Sequence, residues 1–435
     1  MSINYPAELA ITPLTRAPSA TVTVPGSKSI TNRALVLAAL ASRETECSLT
    51  GALQSEDTEV MVDCLKKLGF QVEVDWTQAM IVLRKHGSDR LIPSELADLF
   101  VANSGTTARF VAAMVSLAPG RYRLDGVKRM RERPIQDLLD ALNQLGVETV
   151  SESRNGCPPI VITSNGWLKS SVRVRGDVSS QFLSGLLLAA GWSHEDTTIT
   201  VDGVLVSTPY VEMTLSMLEP WIEQVGRAGE TLVVVSNRRE PPSTYAIEPD
   251  ASAASYFWAA AAIAGGRVTV SGLNRKSLQG DVRFVDVLEQ MGCRVEECDA
   301  GITVHGGKLR GVDVDMNDIS DTVMTLGAVA CFAEGPTTIR NVGHIRHKET
   351  DRIAALATEL RKLGAEVEER EDGLTITPRP LKGCAVDTYN DHRMAMSLAL
   401  VGLKVPGVVI RNPGCVAKTY PGFWQDLQAL HREAV

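Results

Sequence analysis

The feature of this sequence that most constrains its fold is a sixfold recurrence. Six times, a short polar cluster precedes a run of small and apolar residues that reads as a helix. Successive clusters are about 70–76 residues apart, which is too long a period for a helical solenoid. Each recurrence is therefore expected to be a unit with strands and helices of its own. The clusters are Ser27-Lys28-Ser29, Asn103-Ser104-Gly105-Thr106, Ser179-Ser180-Gln181, Asp250-Ala251-Ser252, Ser320-Asp321-Thr322 and Asn390-Asp391-His392-Arg393.

The same order of shorter patterns follows most of these clusters. The apolar helix leads into a β-like run, such as residues 197–201, and a second, amphipathic helix comes next, such as residues 349–363. Each unit thus reads as strand, helix, strand, helix, strand, strand, with the first helix buried and the second outside. Glycine stands just after several of the second helices, where a left-handed C-cap is expected. These glycines are Gly69, Gly146, Gly292 and Gly364.

Six such units predict an α/β protein of two similar domains with three units each. A single nucleotide-binding sheet with one switch point would not accommodate them. We expect one lobe to comprise residues 1–24 together with 249–435 and the other to comprise residues 25–248. The chain would then cross between the lobes near Val24-Pro25 and Glu248-Pro249-Asp250.

Composition narrows the class of protein. The net charge of -8 argues against a binder of nucleic acid or of an anionic membrane. No stretch of about 18 uncharged apolar residues occurs, so we expect no membrane span. The eight cysteines are scattered without a Cys-x-x-Cys pair, and the N-terminus lacks the pattern of a secretory signal. A reduced, cytoplasmic protein is therefore expected.

Basic residues recur at or near the helix openings. The first backbone N–H groups of a helix are free and its dipole favours negative charge there, so several converging openings would bind anions. The alternative is that each cation is a solvated surface group. Recurrence at equivalent points of a repeat favours a shared site for a substrate that carries phosphates and carboxylates. The residues are Lys28, Arg33, Arg109, Arg133, Lys348, Arg352, Arg393 and Lys418.

Two carboxylates stand among these cations. Asp321 is expected to open the fifth buried helix, and Glu349 the helix after it. Helix N-capping is the structural interpretation of both residues. The functional interpretation is proton transfer, because a carboxylate beside a cation can be tuned for general acid–base work. Lys28 could serve similarly if it is partly desolvated.

Two other motifs do not support a function of their own. The segment Gly26-Ser27-Lys28-Ser29 resembles the end of a phosphate loop, but the glycine required immediately before the lysine is absent. His344 and His347 could suggest a metal pair, but no third and fourth ligands accompany them. A hydrogen-bonding or solvated role is favoured for these histidines.

Two segments, residues 25–35 and residues 346–352, carry distinctive motifs. They resemble the first and the second signature of a known family, the phosphoshikimate enolpyruvyl transferases. The resemblance runs nearly end to end, and these motifs in this order are highly specific. The further matching segments are residues 103–106, 132–135, 179–183, 389–396 and 417–421.

The resemblance implies a two-domain inverse α/β barrel of six βαβαββ repeats, with the active site in the interdomain cleft. It implies phosphoenolpyruvate and shikimate 3-phosphate as substrates, no metal or organic cofactor, and no nucleic-acid or membrane partner; we expect a monomer. By motif position, shikimate 3-phosphate would be bound by Lys28, Ser29, Arg33, Ser179, Ser180, Gln181, Ser207, Tyr210, Asp321, His344 and Lys348. Phosphoenolpyruvate would be bound by Lys28, Gly105, Arg133, Gln181, Arg352, Arg393 and Lys418.

The reaction that the resemblance implies adds the 5-hydroxyl of shikimate 3-phosphate to C2 of phosphoenolpyruvate while C3 is protonated. Phosphate then leaves from a tetrahedral intermediate. Asp321 is the expected base for the hydroxyl, and Glu349 or Lys28 the expected proton donor. The inhibitor glyphosate occupies the phosphoenolpyruvate site in this family, and relatives with alanine at the position of Gly105 tend to tolerate it. This chain keeps Gly105, so we expect it to be sensitive.

Two positions depart from the family pattern. Phe110 stands where relatives often have proline or leucine. His344 stands where they often have an asparagine that contacts substrate. Both departures concern local binding detail.

Two alternative functions remain open. A UDP-N-acetylglucosamine enolpyruvyl transferase shares the repeat pattern but usually carries asparagine after the first lysine and a reactive cysteine in the loop of the second unit. Ser29 follows Lys28 here, and residues 127–132 contain no cysteine. The other alternative is a non-catalytic anion-binding relative that kept the fold.

Overall fold

The computed structural model describes residues 5–432, and within them strands and helices alternate in a mixed α/β fold. The strands in chain order are β1 (Glu8–Ala10), β2 (Ser19–Val22), β3 (Cys47–Thr50), β4 (Gln71–Asp75), β5 (Met80–Arg84), β6 (Leu96–Phe100), β7 (Pro119–Asp125), β8 (Glu148–Ser151), β9 (Ile160–Asn165), β10 (Ser171–Arg175), β11 (Thr197–Asp202), β12 (Val225–Ala228), β13 (Thr231–Val234), β14 (Thr244–Ala246), β15 (Arg267–Ser271), β16 (Arg294–Cys298), β17 (Gly301–His305), β18 (Asp313–Asp315), β19 (Thr337–Arg340), β20 (Glu366–Arg370), β21 (Gly373–Thr377), β22 (Ala385–Val386) and β23 (Val409–Arg411).

The helices follow the same alternation. They are α1 (Lys28–Ala41), α2 (Glu56–Lys67), α3 (Gly105–Val115), α4 (Gln136–Gln144), α5 (Ser180–Ala190), α6 (Thr208–Leu218), α7 (Ala251–Ala264), α8 (Phe284–Gln290), α9 (Val323–Ala330), α10 (Arg352–Leu363), α11 (His392–Gly402) and α12 (Phe423–Ala429). Short 3-10 segments cover Met130–Glu132, Gly280–Arg283, Asn317–Thr322, Gly343–His347 and Pro413–Lys418.

The chain divides into two compact units. The central unit is the continuous segment Gly26–Ile247. The terminal unit combines the chain up to Pro25 with the chain from Glu248 onward. Each unit therefore has its own core, and the chain passes from one to the other at two points.

One strand order recurs in the sheets of both units. In the sheet β6-β7-β9-β8, the first two strands run parallel, with a helix between them, and the other pairs are antiparallel. The sheets β10-β11-β13-β12 and β18-β19-β21-β20 repeat this order. The parallel pair requires a crossover connection, and the buried helix provides it. The prediction of an α/β fold is therefore confirmed.

Strands near the two crossing points pair with sheets far away in the sequence. β2 lies before α1 in the chain but pairs in parallel with β15 of the terminal unit. Conversely, β14 lies before α7 but pairs in parallel with β3 of the central unit. The N-terminal strand β1 pairs with β23 and completes the three-stranded sheet β1-β23-β22. In each unit, one sheet is therefore completed by a strand that lies far away in the sequence.

The first helix after each polar cluster is buried. In the central unit α1, α3 and α5 pack against one another, and in the terminal unit α7, α9 and α11 do so. Small and apolar side chains allow this burial, because nearly every residue of these helices lies in the core. Five of these six helices begin directly after a residue whose side chain caps the helix N-terminus. These N-cap residues are Ser27, Ser104, Ser179, Asp250 and Asp391.

The glycines after the second helices have the predicted conformation. Gly69, Gly146, Gly292 and Gly364 have φ angles of 89°, 90°, 108° and 111°. These angles lie in the left-handed region that glycine tolerates without a steric penalty, so the C-cap prediction is confirmed. Among residues 5–432, no helix is both long enough and apolar enough to span a membrane.

Candidate active site

In the central unit, two buried arginines converge on the start of α3. Gly105 is the first residue of this helix, and the side chain of Ser104 caps it by accepting from Thr107 N at 3.3 Å. A Cβ atom placed on Gly105 would lie 2.5 Å from Arg133 Nη2 and 3.2 Å from Arg109 Nη1. The missing side chain therefore lets both guanidinium groups approach the positive end of the helix. This arrangement suits a small anion.

Backbone carbonyl groups fix these two arginines. Arg133 Nη1 donates to Asn103 O at 2.9 Å, and Arg109 Nη2 donates to Pro134 O at 2.6 Å. Gln181 lies beside them, because its Oε1 would be 3.1 Å from the same Cβ position. Gln181 is placed by the opening of α5, where Ser179 Oγ accepts from Gln181 N at 3.3 Å. Gly105, Arg133 and Gln181 were all predicted to share a site, and they lie together.

Lys28 lies at the opening of α1 beside a buried carboxylate. Its Nζ is 3.6 Å from Oδ2 of Asp57, which lies in the first turn of α2. Sequence reasoning did not assign Asp57 to the site, because an acidic residue in a first helical turn is ordinary. The pairing of the two residues becomes visible only when α1 and α2 pack together.

Arg33 is the most enclosed cation of the central unit. Its guanidinium donates to Ser29 O at 2.9 Å, to Tyr210 O at 3.2 Å and to Thr214 Oγ1 at 2.8 Å. Burial lowers its pKa to about 10. The ring of Phe110 lies against the guanidinium, 5.0 Å from Cζ, which is a cation–π contact. Phe110, one of the two departures from the family pattern, is therefore a core residue that packs on Arg33.

The remaining residues predicted for the central unit lie at the N-terminal ends of helices α5 and α6. Ser180 begins α5. Ser207 precedes α6 in a left-handed conformation, with a φ angle of 53°. Tyr210 lies in the first turn of α6, and its carbonyl oxygen contacts Arg33.

In the terminal unit, Arg352 joins three carboxylates. Its guanidinium donates to Asp321 Oδ1 at 3.0 Å, to Glu349 Oε2 at 2.9 Å and to Asp391 Oδ2 at 2.8 Å. Only 1% of its side chain is exposed. Burial alone would lower the pKa of Arg352, but the carboxylates outweigh burial and the pKa is raised, with Asp391 as their largest contribution. Arg352 is thus a permanently charged centre.

Two further cations complete this group. Arg393 Nη2 donates to Asp321 Oδ2 at 2.7 Å, so each oxygen of Asp321 faces a different arginine. Lys418 Nζ lies 3.9 Å from Glu349 Oε1. Arg352, Arg393 and Lys418 come from three separate elements, namely α10, α11 and the segment Pro413–Lys418. The structure therefore brings together five residues that the sequence predicted, and adds Asp391.

Two predictions about these residues are wrong. Asp321 does not open a helix: it lies in the 3-10 segment Asn317–Thr322, and α9 begins at Val323. Glu349 does not cap α10, because Asp351 is the cap and accepts from Ala354 N at 3.0 Å. The carboxylates of Asp321 and Glu349 bond to Arg352 instead. The capping interpretation therefore fails for both residues.

The interpretation of the cations as solvated surface groups also fails for most of them. The side chains of Arg33, Arg109, Arg133, Arg352, Arg393 and Lys418 are all buried. Removing a cation from water is costly unless carboxylates or carbonyl groups compensate for it. Buried cations with such partners are therefore characteristic of binding sites rather than of the solvent-exposed surface.

His344 and Lys348 lie in the turn that precedes α10. His344 Nε2 is 3.0 Å from Ser320 Oγ, next to Asp321 in sequence. Burial, followed by the charge of Lys348, lowers the pKa of His344 to about 3. His344 is therefore neutral near pH 7. Among residues 5–432, no group of three or more His, Cys, Asp or Glu side chains is arranged to hold a metal ion.

The sequence model of the family EPSP synthase (3-phosphoshikimate 1-carboxyvinyltransferase) matches residues 15–427. The chain is 48% identical over 418 residues to the 3-phosphoshikimate 1-carboxyvinyltransferase of Nostoc punctiforme, covering 96% of this chain and 97% of that protein.

Solved structures agree with this assignment. The EPSP synthase of Acinetobacter baumannii superposes with a TM-score of 0.80 at 25% identity, covering 97% of this chain and 98% of that one. An enolpyruvyl transferase of Streptomyces tendae, at 21% identity, shares the fold with a TM-score of 0.76, covering 98% of this chain and 97% of that one. The chain therefore belongs to the EPSP synthase family of enolpyruvyl transferases.

Proposed function

We propose that this chain transfers the enolpyruvyl group of phosphoenolpyruvate to the 5-hydroxyl of shikimate 3-phosphate and releases phosphate. One observation supports the assignment of proton-transfer roles to two carboxylates. Asp321 is held between Arg352 and Arg393, and a second carboxylate, Glu349, bonds to the same Arg352. Two carboxylates fixed by shared cations are suited to move protons beside a bound anion.

Asp321 is the base for the substrate hydroxyl. Each oxygen of Asp321 accepts from a different arginine, which holds the carboxylate in a fixed orientation. A carboxylate oxygen of Asp321 takes the hydroxyl proton as the substrate oxygen bonds to C2 of phosphoenolpyruvate. Glu349 or Lys28 donates the proton that C3 takes up. Loss of phosphate and of a C3 proton from the tetrahedral intermediate then gives the enolpyruvyl ether.

The cations bind the two substrates. Phosphoenolpyruvate is assigned to the start of α3 at Gly105 and to the cluster of charged residues around Arg352. Helix N-termini and guanidinium groups there can bind its negative charges. Its residues are Lys28, Gly105, Arg133, Gln181, Arg352, Arg393 and Lys418. Shikimate 3-phosphate is assigned to Lys28, Ser29, Arg33, Ser179, Ser180, Gln181, Ser207, Tyr210, Asp321, His344 and Lys348.

We further propose that the site forms in a cleft between two lobes, residues 1–24 with 249–435 and residues 25–248. The cytoplasmic location, the monomeric state and the lack of a cofactor stay predictions from the sequence. The UDP-N-acetylglucosamine reaction is not favoured, because Ser29 follows Lys28 and the family match covers residues 15–427.

Phosphate release tests the reaction. The purified chain should release phosphate from phosphoenolpyruvate when shikimate 3-phosphate is present and not when UDP-N-acetylglucosamine replaces it. Release with the nucleotide sugar, or with neither acceptor, would overturn the assignment.

Asp321→Ala tests the role of the base. Turnover should fall by about 10²–10⁴-fold, the usual contribution of a general acid or base. The thermal unfolding midpoint should also fall, because the buried Arg352 and Arg393 lose a carboxylate partner, so turnover is measured well below the unfolding transition of the variant. Asp318→Ala is the matched control, since Asp318 lies in the same 3-10 segment but pairs with Arg283 at the surface. Near-normal turnover of Asp321→Ala would remove Asp321 from the mechanism without affecting the reaction assignment.

A further inference from the structure

The turn between β22 and α11 has an unusual backbone. Tyr389 and Asn390 have φ angles of 54° and 56°, and Asp391 N donates to Thr388 O at 2.8 Å. They are thus the two central residues of a turn in which both occupy the left-handed region. Glycine and asparagine tolerate this region, but tyrosine is disfavoured there. Contacts from outside the turn must therefore stabilise it.

A buried carboxylate on α10 supplies these contacts. Glu359 is 0% exposed. Its Oε1 accepts from Tyr389 OH at 2.7 Å, and its Oε2 accepts from Asp387 N at 3.0 Å. Lys362 Nζ donates to Oε1 at 2.8 Å and to Asp387 Oδ2 at 2.7 Å. A buried carboxylate that loses such partners is costly, so the turn and Glu359 hold each other in place.

The same face of α10 also binds the end of the turn. Arg352 lies seven residues before Glu359, which is about two helical turns, so both side chains share one face. Arg352 Nε donates to Asp391 Oδ2 at 2.8 Å. The other oxygen of Asp391 accepts from Arg393 N at 2.9 Å and caps α11. Helix α10 therefore forms hydrogen bonds with both ends of the turn.

A third element is tied to the same turn. Asn390 Oδ1 accepts from Asn412 Nδ2 at 3.1 Å. Asn412 immediately precedes the segment Pro413–Lys418. Residues 387–391 thus contact all three elements that carry Arg352, Arg393 and Lys418. These cations are the terminal-unit residues assigned to phosphoenolpyruvate.

We propose that Glu359 and Tyr389 are positioning residues for phosphoenolpyruvate. This inference rests on the proposed function and concerns the same phosphoenolpyruvate site. The bond between the two side chains fixes the turn, and the turn sets the spacing of Arg352, Arg393 and Lys418. Loosening the turn should weaken the binding of phosphoenolpyruvate, whereas shikimate 3-phosphate, held mostly by the central unit, should bind as before.

Tyr389→Phe and Glu359→Gln test the proposal by steady-state kinetics. Tyr389→Phe removes only a hydroxyl from a half-exposed ring, so the variant is expected to fold. Each variant should raise KM for phosphoenolpyruvate by about tenfold, the order expected for one hydrogen bond to a charged group. KM for shikimate 3-phosphate should stay within about twofold. The effects of the two changes should not add fully in the double variant, because both weaken the bond between Tyr389 and Glu359.

Tyr122→Phe is the matched control. Tyr122 is a buried tyrosine of the central unit whose hydroxyl donates to Ser94 O at 2.8 Å. Its loss should leave both KM values unchanged. Tyr389→Asn provides a second check, since asparagine tolerates the left-handed turn but lacks the hydroxyl; a raised KM for phosphoenolpyruvate would assign the effect to the lost bond.

The outcomes separate the two proposals. If the wild type does not release phosphate from the two substrates, the proposed function fails and the positioning role fails with it. If the wild type is active but the Tyr389 and Glu359 variants raise both KM values equally, or neither, only the positioning role is overturned.

Discussion

At the residue scale, Gly105 shows how one absent side chain shapes a site. A Cβ atom there would lie 2.5 Å from Arg133 Nη2, far inside the normal contact distance. Arg133 is fixed by Asn103, so it can retreat only by giving up those hydrogen bonds. Phe110, one turn further along α3, packs on Arg33 and does not compete for this space.

The resemblance to a family in which glyphosate occupies the phosphoenolpyruvate site, together with Gly105, implies that the wild type is inhibited by glyphosate in competition with phosphoenolpyruvate. Gly105→Ala should raise the inhibition constant by about tenfold or more and also raise KM for phosphoenolpyruvate, because the methyl group displaces Arg133. Gly87→Ala is the control, since a Cβ atom at Gly87 would meet nothing within 4 Å. Equal resistance of the wild type and Gly105→Ala would show that Gly105 does not govern access.

His344 gives the protein a defined dependence on pH. Its pKa of about 3 lies below the ordinary value of a free histidine, about 6.5. Between these values the unfolded chain binds a proton that the folded chain does not. The free energy of unfolding should therefore be fully retained above pH 6.5 and fall as the pH drops from 6.5 towards 3.

At pH 5 this effect amounts to about 2 kcal/mol relative to pH 7.5. His344→Asn should remove that part of the pH dependence in urea unfolding without substrates, while His347→Asn, at an exposed position of the same turn, should not. His392, whose pKa burial lowers well below its usual range, acts in the same direction in both variants. Equal pH dependence in the two variants would contradict the assignment to His344.

At the scale of secondary-structure elements, most local signals predicted the structure well. The polar openings mark the buried helices, and the glycines mark the ends of the second helices. The boundaries of the second helices were less accurate: residues 349–363 were predicted as one helix, but α10 spans Arg352–Leu363. Asp351, rather than Glu349, supplies the cap, in line with the N-cap preference for aspartate, so the prediction extended the helix too far towards the N-terminus.

Gly364 provides a test at this scale. Its φ angle is 111°, and a Cβ atom would lie 2.8 Å from Pro380 O. Gly364→Ala should lower the free energy of unfolding by at least about 1–2 kcal/mol, since a left-handed conformation penalises a side chain and the carbonyl group would have to move. Urea unfolding measures the change, with Gly87→Ala as the control. A loss smaller than in the control would show that the helix end rearranges freely.

At the scale of the whole molecule, the two units are joined by only two chain crossings, at residues 25–26 and 247–248. The residues assigned to phosphoenolpyruvate come from both units. Anionic ligands that bridge them should draw the units together.

Small-angle scattering should therefore record a smaller radius of gyration when shikimate 3-phosphate and glyphosate are present together. Shikimate 3-phosphate alone should produce less compaction, because Arg352, Arg393 and Lys418 of the terminal unit would remain without their assigned ligand. An unchanged radius of gyration with both ligands would count against closure.

The sequence by itself determined the local features of this protein: the buried helices, their polar openings, the glycine caps and the motifs of the family. These depend on residues close together in the chain, whose periodicity and capping chemistry are readable directly. Only the tertiary structure decided that β2 and β14 complete distant sheets, that Asp57 pairs with Lys28, and that Arg352 and Glu359 of α10 both bind the turn before α11. Such contacts join residues far apart in sequence, and no local pattern specifies which buried charge meets which, because that choice is made when the elements pack.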